Sequence, residues 1–342
     1  MKKNIIFVVG CLISVGLIAY FTRMVDWGKF AQALGRFGWW WLVPGLATFY
    51  YSMYLRAVRW GLIFRPHHDI KGYQAWPPIM VGFAFNSILP GRVGEVVRCL
   101  HISKSQKTGI PAALASVVAE RILDAVTLLG MLALSFAILP PIDPSIKVPV
   151  PGMKEPLTSA VLNHSINALI VFCAVLVVGV IVFMFPWVQM LIIRITRRMT
   201  FLPARVRRFI AKMIAQFARG FHALKQPGVM VRIVIYSVVI WVLCAVSNMA
   251  IARGFDIPLR LPQAMALITL IGIFILIPAA PGYWGLYEAG TIFSLTVMNV
   301  SKDLTVMFAY AVMIHLVQYI PIVVIGMYYA RKAPVGKEEI KA

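Results

Sequence analysis

Long apolar runs alternate with short polar or basic connections along the 342-residue chain. Six of these runs are long enough to cross about 30 Å of hydrocarbon as helices, which takes about 20 residues each. The pattern therefore predicts an all-α integral membrane protein with six full spans. The runs are 4–22, 39–64, 111–139, 160–186, 229–252 and 304–330.

Two further apolar regions are each interrupted by a Pro-Gly pair, and proline and glycine end helices. The first arm of the earlier region, 74–89, would reach only about 24 Å as a helix, which is less than the hydrocarbon thickness. We therefore predict two re-entrant helical hairpins, although a pair of short spans fits each region equally well. The regions are 73–100 and 263–299, and their breaks are Pro90-Gly91 and Pro281-Gly282.

The composition excludes a water-soluble globule. Hydrophobic residues make up 61% of the chain and charged residues 13%, whereas soluble domains are about 45–50% apolar and about 25% charged. The formal net charge of +21 comes from 33 Lys and Arg against 12 Asp and Glu. Such an excess is typical of cytoplasmic loops that face anionic lipids, so we expect a single membrane domain over 1–342 and no nucleic-acid partner.

The basic residues also predict an orientation. They concentrate near both termini and in the stretch 187–226, which contains no acidic residue, and basic loops stay in the cytoplasm. If each hairpin enters and leaves on one side, the chain forms two inverted halves, about 1–140 and 160–330. We expect a prokaryotic inner membrane protein with both termini cytoplasmic. The 3.6-residue apolar period within 187–226 predicts an amphipathic helix on the anionic inner leaflet.

The two breaks resemble each other in sequence. Both contain the pattern P-G-x-x-G and a nearby glutamate, which is Glu95 in the first and Glu288 in the second. Broken segments at corresponding places in inverted halves indicate the binding site of a transporter. We therefore expect the two breaks to line one polar cavity within the membrane.

The first hairpin carries a charged cluster. In a helix that starts after the break, Arg92, Glu95 and Arg98 are spaced i, i+3, i+6 and would share one face. The free N–H groups at the start of that helix, with Gly91 and Gly94 allowing close approach, suit the phosphate of a lipid headgroup. The alternative is that both arginines only extend to the cytoplasmic surface and pair with the glutamate.

Further charges lie within the apolar runs. Glu120, Arg121 and Asp124 are spaced for mutual ion pairs and are candidate proton carriers or headgroup ligands, with a purely structural network as an equal alternative. Arg56 and Arg59 are one turn apart, and we expect them to reach the cytoplasmic interface as anchors.

The second break is aromatic and acidic, which suits a sugar or a cationic headgroup. The alternative is an interfacial belt of aromatic residues. In the last span, His315 and Gln318 could relay protons or could only join helices by hydrogen bonds. The residues of the second break are Tyr283, Trp284, Tyr287 and Glu288.

Familiar catalytic and metal motifs are absent from the sequence. It contains no G-x-x-x-x-G-K-[ST], H-E-x-x-H or G-x-S-x-G pattern, so we expect no ATPase activity, no cofactor and no metal. The four cysteines are scattered, which indicates neither a disulfide framework nor a zinc site. We expect His67-His68 to lie in a solvated loop.

These motifs together resemble the lysylphosphatidylglycerol synthase transmembrane-region family, also called flippase-like, over nearly the whole chain. The resemblance implies lipid translocation between leaflets. It does not extend to the cytosolic aminoacyl-transferase domain of the two-part synthases, so synthase activity is not implied. The segments that carry it are Asn86–Glu95 with Arg98, Glu120–Asp124, and Pro278 with Pro281–Gly285 and Glu288.

We therefore predict a lipid transporter that works by alternating access and moves an anionic or aminoacylated phospholipid, a glycolipid or a polyprenyl-phosphate-linked lipid. The alternatives are a membrane enzyme acting on a lipid phosphate and a scaffold for a lipid-synthesis partner. A homo-oligomer is compatible with the sequence. The predicted substrate-binding residues are Pro90, Gly91, Arg92, Gly94, Glu95, Arg98, Glu120, Arg121, Asp124, Pro281, Gly282, Tyr283, Trp284, Gly285 and Glu288.

Overall fold

A computed structural model describes most of the chain. The described ranges are 2–65, 69–89, 92–140, 185–198, 227–276 and 280–332, with single residues or pairs between 147 and 182 and Arg207. Several predictions lie outside the described residues and stay untested by the structure. They concern Pro90, Gly91, His67-His68, Pro278, most of 160–186 and most of 199–226.

The described residues are almost entirely helical. Two 3₁₀ turns, Trp39–Trp41 and Pro281–Tyr283, and one two-residue antiparallel strand pair, β1 (Lys147–Val148) with β2 (Leu157–Thr158), complete the elements. The helices are α1 (Lys2–Met24), α2 (Trp27–Arg36), α3 (Leu42–Phe64), α4 (Gly72–Ile88), α5 (Gly94–Gln106), α6 (Ile110–Ile138), α7 (Pro186–Arg198), α8 (Pro227–Gly254), α9 (Leu261–Phe274), α10 (Leu286–Val297) and α11 (Leu304–Lys332).

Three of the described helices are long and apolar enough to cross a membrane: Ala112–Ile138 in α6, Gly228–Gly254 in α8 and Leu304–Lys332 in α11. They correspond to three of the six predicted spans. Shorter apolar stretches, Cys11–Met24 and Leu261–Phe274, lie in α1 and α9. The helical class and the membrane character of the chain are therefore confirmed.

The chain is broken at both predicted places. Helix α4 ends at Ile88 and α5 begins at Gly94, while α9 ends at Phe274 and α10 begins at Leu286. The second break turns through Gly282 and Gly285, whose φ angles of 77° and 84° are accessible to glycine at little cost. At Gly285, an added Cβ would also lie 2.8 Å from the backbone oxygen of Ser14 in α1.

Three helix pairs hold the molecule together: α3 packs on α8, α4 on α11, and α6 on α9. Within each broken segment, α4 packs on α5 and α9 on α10. The 3₁₀ turn Pro281–Tyr283 of the second break packs on α4 of the first segment. Both broken segments are therefore enclosed by long helices and contact each other.

Apolar side chains fill the space between these helices. One buried cluster joins Phe49 and Met53 of α3, Met80 and Ala84 of α4, and Ile322 of α11. Burying such side chains stabilises the fold by about 1.5–3 kcal/mol each relative to water, although lipid would also accept them. The cluster fixes the first broken segment against the last helix, beside the cavity described next.

Candidate functional site: a cavity between the two breaks

A cavity of about 260 Å³ lies where the two broken segments meet. Its described lining includes Asn86, Arg92 and Glu95 from the first segment, and Tyr283 and Tyr287 from the second. Apolar side chains of α3, α4, α9 and α11 form much of the remaining lining. They include Phe49, Met53, Phe83, Ile268, Ile271, Ile275 and Ile322.

The cavity is positively charged. Arg56, Arg92 and Arg121 line it, and Glu95 is the acidic residue among the described lining. In a setting with little water, such an excess of guanidinium groups favours an anion that can accept several hydrogen bonds. A phosphate has this geometry.

The buried carboxylate of Asp124 holds Arg56 in place. Asp124 of α6 accepts hydrogen bonds from Arg56 Nη1 at 3.0 Å, Arg59 Nη2 at 2.7 Å and Trp241 Nε1 at 3.1 Å. The Arg56 and Arg59 side chains are only 3% and 0% exposed. Arg59 Nη1 also donates to Ser237 at 2.9 Å. This network ties α3, α6 and α8 together.

A second buried carboxylate, that of Glu120, binds Arg98 and Arg121. Glu120 accepts from Arg98 Nη2 at 2.5 Å and from Arg121 Nη2 at 2.8 Å. The Arg98 guanidinium also lies 3.7 Å from the ring centre of Trp60, which is a cation–π contact. Arg98 is therefore held behind the cavity lining by Glu120 and Trp60, although its buried Nε makes no hydrogen bond, whereas Arg121 lines the cavity.

Several polar atoms beside the cavity have no protein partner. Among the described side chains, the buried Nε of Arg56, the buried Nε of Arg121, and the Oδ1 atoms of Asn86 and Asn248 make no hydrogen bond. All four residues line the cavity. Because buried polar groups are normally hydrogen-bonded, these atoms indicate that water or a polar ligand occupies the cavity in the membrane.

Arg92 of the first break and Tyr283 of the second break line the same cavity. Arg92 follows the first break with a φ of 56°. Glu95 lies one turn further on, with Oε1 at 3.8 Å from Arg121 Nε. The place of Arg92 on the lining and the loose contact of Glu95 leave both side chains able to meet a ligand.

A buried acid just after the second break, Glu288 of α10, pairs with His315 of α11. His315 Nδ1 lies 2.7 Å from Glu288 Oε1, and the other Glu288 oxygen accepts from the Gly285 N–H at 2.7 Å. The imidazole ring stacks on Tyr287 with ring centres 4.3 Å apart, and Trp284 lies at the same centre distance. His315 and Tyr287 both line the cavity.

The structure places five of the predicted site residues on the cavity lining. Most of the others lie directly behind this lining or in the turns of the second break. Their roles in substrate binding stay predictions. The five lining residues are Arg92, Glu95, Arg121, Gly282 and Tyr283, and the described others are Gly94, Arg98, Glu120, Asp124, Pro281, Trp284, Gly285 and Glu288.

Two predictions about side-chain direction are wrong. Arg56 and Arg59 do not extend to an interface as anchors, because Asp124 binds both of them inside the protein. Arg92 and Arg98 do not share a helix face, because α5 begins only at Gly94 and Arg92 precedes it with a positive φ.

Other lining residues were not predicted at all. Trp241, Cys244 and Asn248 follow one face of α8 at the helical spacing, and Tyr319 lies one turn after His315 on α11. Asn248, a polar residue within an apolar span, was the one clear pointer in the sequence. The remaining residues have no sequence pattern that distinguishes them from ordinary helix contacts.

The family comparison agrees with the motifs. The family model described as Lysylphosphatidylglycerol synthase TM region matches residues 7–326, so the chain belongs to that family. Neither the curated proteins nor the solved structures gave a match. The family links the chain to lipid synthesis or translocation at a membrane.

Proposed function

Because the chain belongs to the lysylphosphatidylglycerol synthase transmembrane-region family, we propose that it moves a phosphate-bearing lipid from one membrane leaflet to the other. The protein itself performs transport and not a chemical reaction. It does so in a prokaryotic inner membrane, with both termini in the cytoplasm.

One observation carries this proposal: both breaks line the same cavity, and three arginines face it. Broken helices that meet around a site within the membrane are the architecture of transporters. Arg56, Arg92 and Arg121 can hold a phosphate by charge-assisted hydrogen bonds. The apolar lining beside them suits the glycerol and upper acyl carbons of the same lipid.

The helix packing supports alternating access. The order long helix, broken segment, long helix occurs twice, as α3 to α6 and as α8 to α11. In this order α3 corresponds to α8, α4 to α9, and α6 to α11. The α3–α8 contact therefore corresponds to itself, and the α4–α11 contact corresponds to the α9–α6 contact. This correspondence supports two equivalent halves, which are inverted in our proposal and rock against each other around the cavity.

The cavity also favours some lipids over others. The oxygens of a phosphate diester can accept hydrogen bonds from the arginines. Anionic and aminoacylated phospholipids and polyprenyl-phosphate-linked lipids carry such a group. A headgroup amine or hydroxyl can meet Glu95 and the aromatic hydroxyls of the second break. We propose that the basic stretch 187–226 holds anionic lipids at the inner leaflet.

A transport assay with the Arg92→Gln variant tests the proposal. Proteoliposomes containing a fluorescent phospholipid in both leaflets are treated with a membrane-impermeant reductant, and the rate at which inner-leaflet lipid becomes accessible is measured. Because Gln cannot supply the charge-assisted bonds, we expect the protein-dependent rate to fall about tenfold or more.

Arg65→Gln is the matched control, because Arg65 at the end of α3 is 56% exposed and pairs only loosely, at 3.7 Å, with Asp69. This control should transport at the wild-type rate. Equal rates for Arg92→Gln and Arg65→Gln would remove Arg92 from the lipid site. A wild-type protein that moves none of the phosphate-bearing lipids would overturn the proposed function.

A further inference from the structure

We propose that Glu288 and His315 form a proton-binding site, and that the bound proton moves together with the lipid. This inference rests on the proposed function and adds its driving force. The pair lies beside the cavity, where Glu288 in the first turn of α10 meets His315 of α11.

Glu288 differs from the other buried acids in its partner. Glu120 and Asp124 each form ion pairs with arginines, which keep their proton under all ordinary conditions. Among the described residues, the ion pair of Glu288 is with His315, at 2.7 Å. An imidazole can lose its proton near neutral pH. The charge of this pair therefore depends on a single exchangeable proton.

Burial raises the free-energy cost of any uncompensated charge on this pair. The side chains of His315 and Glu288 are only 5% and 4% exposed. A carboxylate within a membrane protein is costly unless it is paired or protonated. A proton on the imidazole or on the carboxylate therefore lowers the free-energy cost of burying this pair.

Among the described residues, those in contact with the pair are aromatic or uncharged polar. Tyr287 stacks on the imidazole, and Tyr319 and Tyr310 come from α11 and Cys244 from α8. Helix α9 has no titratable residue, and α1 supplies Ser14, which accepts from the Ala280 N–H. The charged groups face the pair across the cavity, and they are Arg56, Arg92, Glu95 and Arg121.

The pair is also connected to the shape of the break. One Glu288 oxygen accepts from the N–H of Gly285, the residue with a φ of 84° immediately before α10. A charged acceptor strengthens such a cap, because charge-assisted hydrogen bonds are about twice as strong as neutral ones. Moving the proton onto Glu288 therefore weakens the contact that fixes the turn. Proton binding and the geometry of the break are coupled.

The sign of the coupling to lipid follows from charge. A phosphate bound by the arginines places a negative charge in the cavity next to His315, which favours the protonated pair. By reciprocity, the protonated pair favours phosphate binding. The lipid and the proton therefore bind together, and an imposed pH gradient should drive lipid toward the alkaline side.

Proteoliposomes with an imposed pH gradient test this inference. With one proton per lipid, a gradient of one pH unit supports an enrichment of up to about tenfold in the leaflet on the alkaline side. The variants Glu288→Gln and His315→Gln should lose this enrichment. Protein-free vesicles measure how far the lipid redistributes under the gradient without the protein. Asp69→Asn is the matched control, because this acid is 77% exposed and far from any cavity lining described here.

Lipid exchange between the leaflets, measured at equal pH on both sides, distinguishes a failure of the proton site from a failure of the proposed transport function. Wild-type exchange with a gradient-driven enrichment that Glu288→Gln abolishes supports the proton site. Wild-type exchange without any enrichment, or with an enrichment that survives in both variants, overturns it. Enrichment on the acidic side contradicts joint binding and also overturns it. Absence of wild-type exchange at equal pH contradicts the proposed function itself.

The proton site can also be observed without transport. Infrared difference spectra of the purified full chain between an acidic and an alkaline pH should contain a carboxyl or carboxylate band that Glu288→Gln removes and Asp69→Asn keeps. If Glu288→Gln does not fold, Glu288→Asp should shift this band. Spectra that are identical in wild type and in the Glu288 variants would overturn the assignment.

Discussion

Asp124 is the residue on which most charged groups of the site depend. It accepts from two arginines of α3 and from Trp241 of α8, and Arg121 lies 3.4 Å from it. Removing one member of a buried ion pair leaves the other charges uncompensated, which costs more than the pair contributes. Asp124 therefore positions Arg56 at the cavity and stabilises the fold.

The Asp124→Asn variant tests this role. Asn keeps the shape of the side chain but not its charge, so we expect a loss of about 3–5 kcal/mol in the free energy of unfolding. Unfolding of the purified protein in mixed detergent measures this value. The same substitution at Asp69, which is exposed, should change stability very little. Equal stability of both variants would contradict a structural role for the Asp124 charge.

The sequence located the charged residues but not their partners. Arg56 and Asp124 are 68 positions apart, and the hydropathy of each helix contains no information about which arginine meets which acid. Long arginine side chains in an apolar run fit an interfacial anchor just as well, and that interpretation was wrong here. Glu120, Arg121 and Asp124, in contrast, were identified as a possible ion-pair network, because their spacing alone places them on adjacent faces of α6.

At the scale of elements, the contact between α4 and α5 depends on Gly94. An added Cβ there would overlap the backbone oxygen of Gly82 and lie 2.6 Å from the Asn86 nitrogen. We therefore expect Gly94→Ala to push the two arms apart, to lower the unfolding temperature and to slow lipid exchange severalfold. Thermal unfolding followed by tryptophan fluorescence and the exchange assay measure both effects.

Gly130→Ala in α6 is the matched control, because among the described residues no atom outside the nearby backbone of α6 lies within 4 Å of its added Cβ. This change should leave transport unaffected and should stabilise the helix by up to about 1 kcal/mol. If both alanine variants behave alike, the close approach of the two arms is not required for function.

Hydropathy predicted the elements well where apolar runs are long. The run 111–139 became Ile110–Ile138, and the run 304–330 became Leu304–Lys332. The breaks were predicted from Pro-Gly pairs. The start of α5 was not, because a positive φ is uncommon for a residue other than glycine and hydropathy does not predict the φ of 56° at Arg92. Whether the broken segments return to one side of the membrane stays a prediction.

At the scale of the whole molecule, alternating access requires the cavity to open toward each side in turn. Cys244 is a suitable probe of this motion, because it lines the cavity. Its Sγ lies 3.4 Å from Ser52 Oγ of α3. In a variant whose other three cysteines are serine, we expect small impermeant thiol reagents to modify Cys244 from either side of the vesicle. Added phosphate-bearing lipid should slow the reaction severalfold.

Mass spectrometry of the labelled protein measures this modification. Changing Cys244 to serine as well gives the unreactive control. Labelling from one side only would contradict two-sided access and would favour a static funnel. Labelling that is unaffected by lipid would place the lipid elsewhere.

The division of charge between α3 and α6 has a consequence for how the protein is made. Helix α3 leaves the ribosome with Arg56 and Arg59, and the acids that neutralise them follow on α6 only after both arms of the first broken segment. An arginine at the centre of an isolated span costs about 2.5–3.5 kcal/mol to insert. If α3 spans the membrane as predicted, we expect its stable insertion to require the acidic residues of α6, so that biogenesis is cooperative across the first half of the chain.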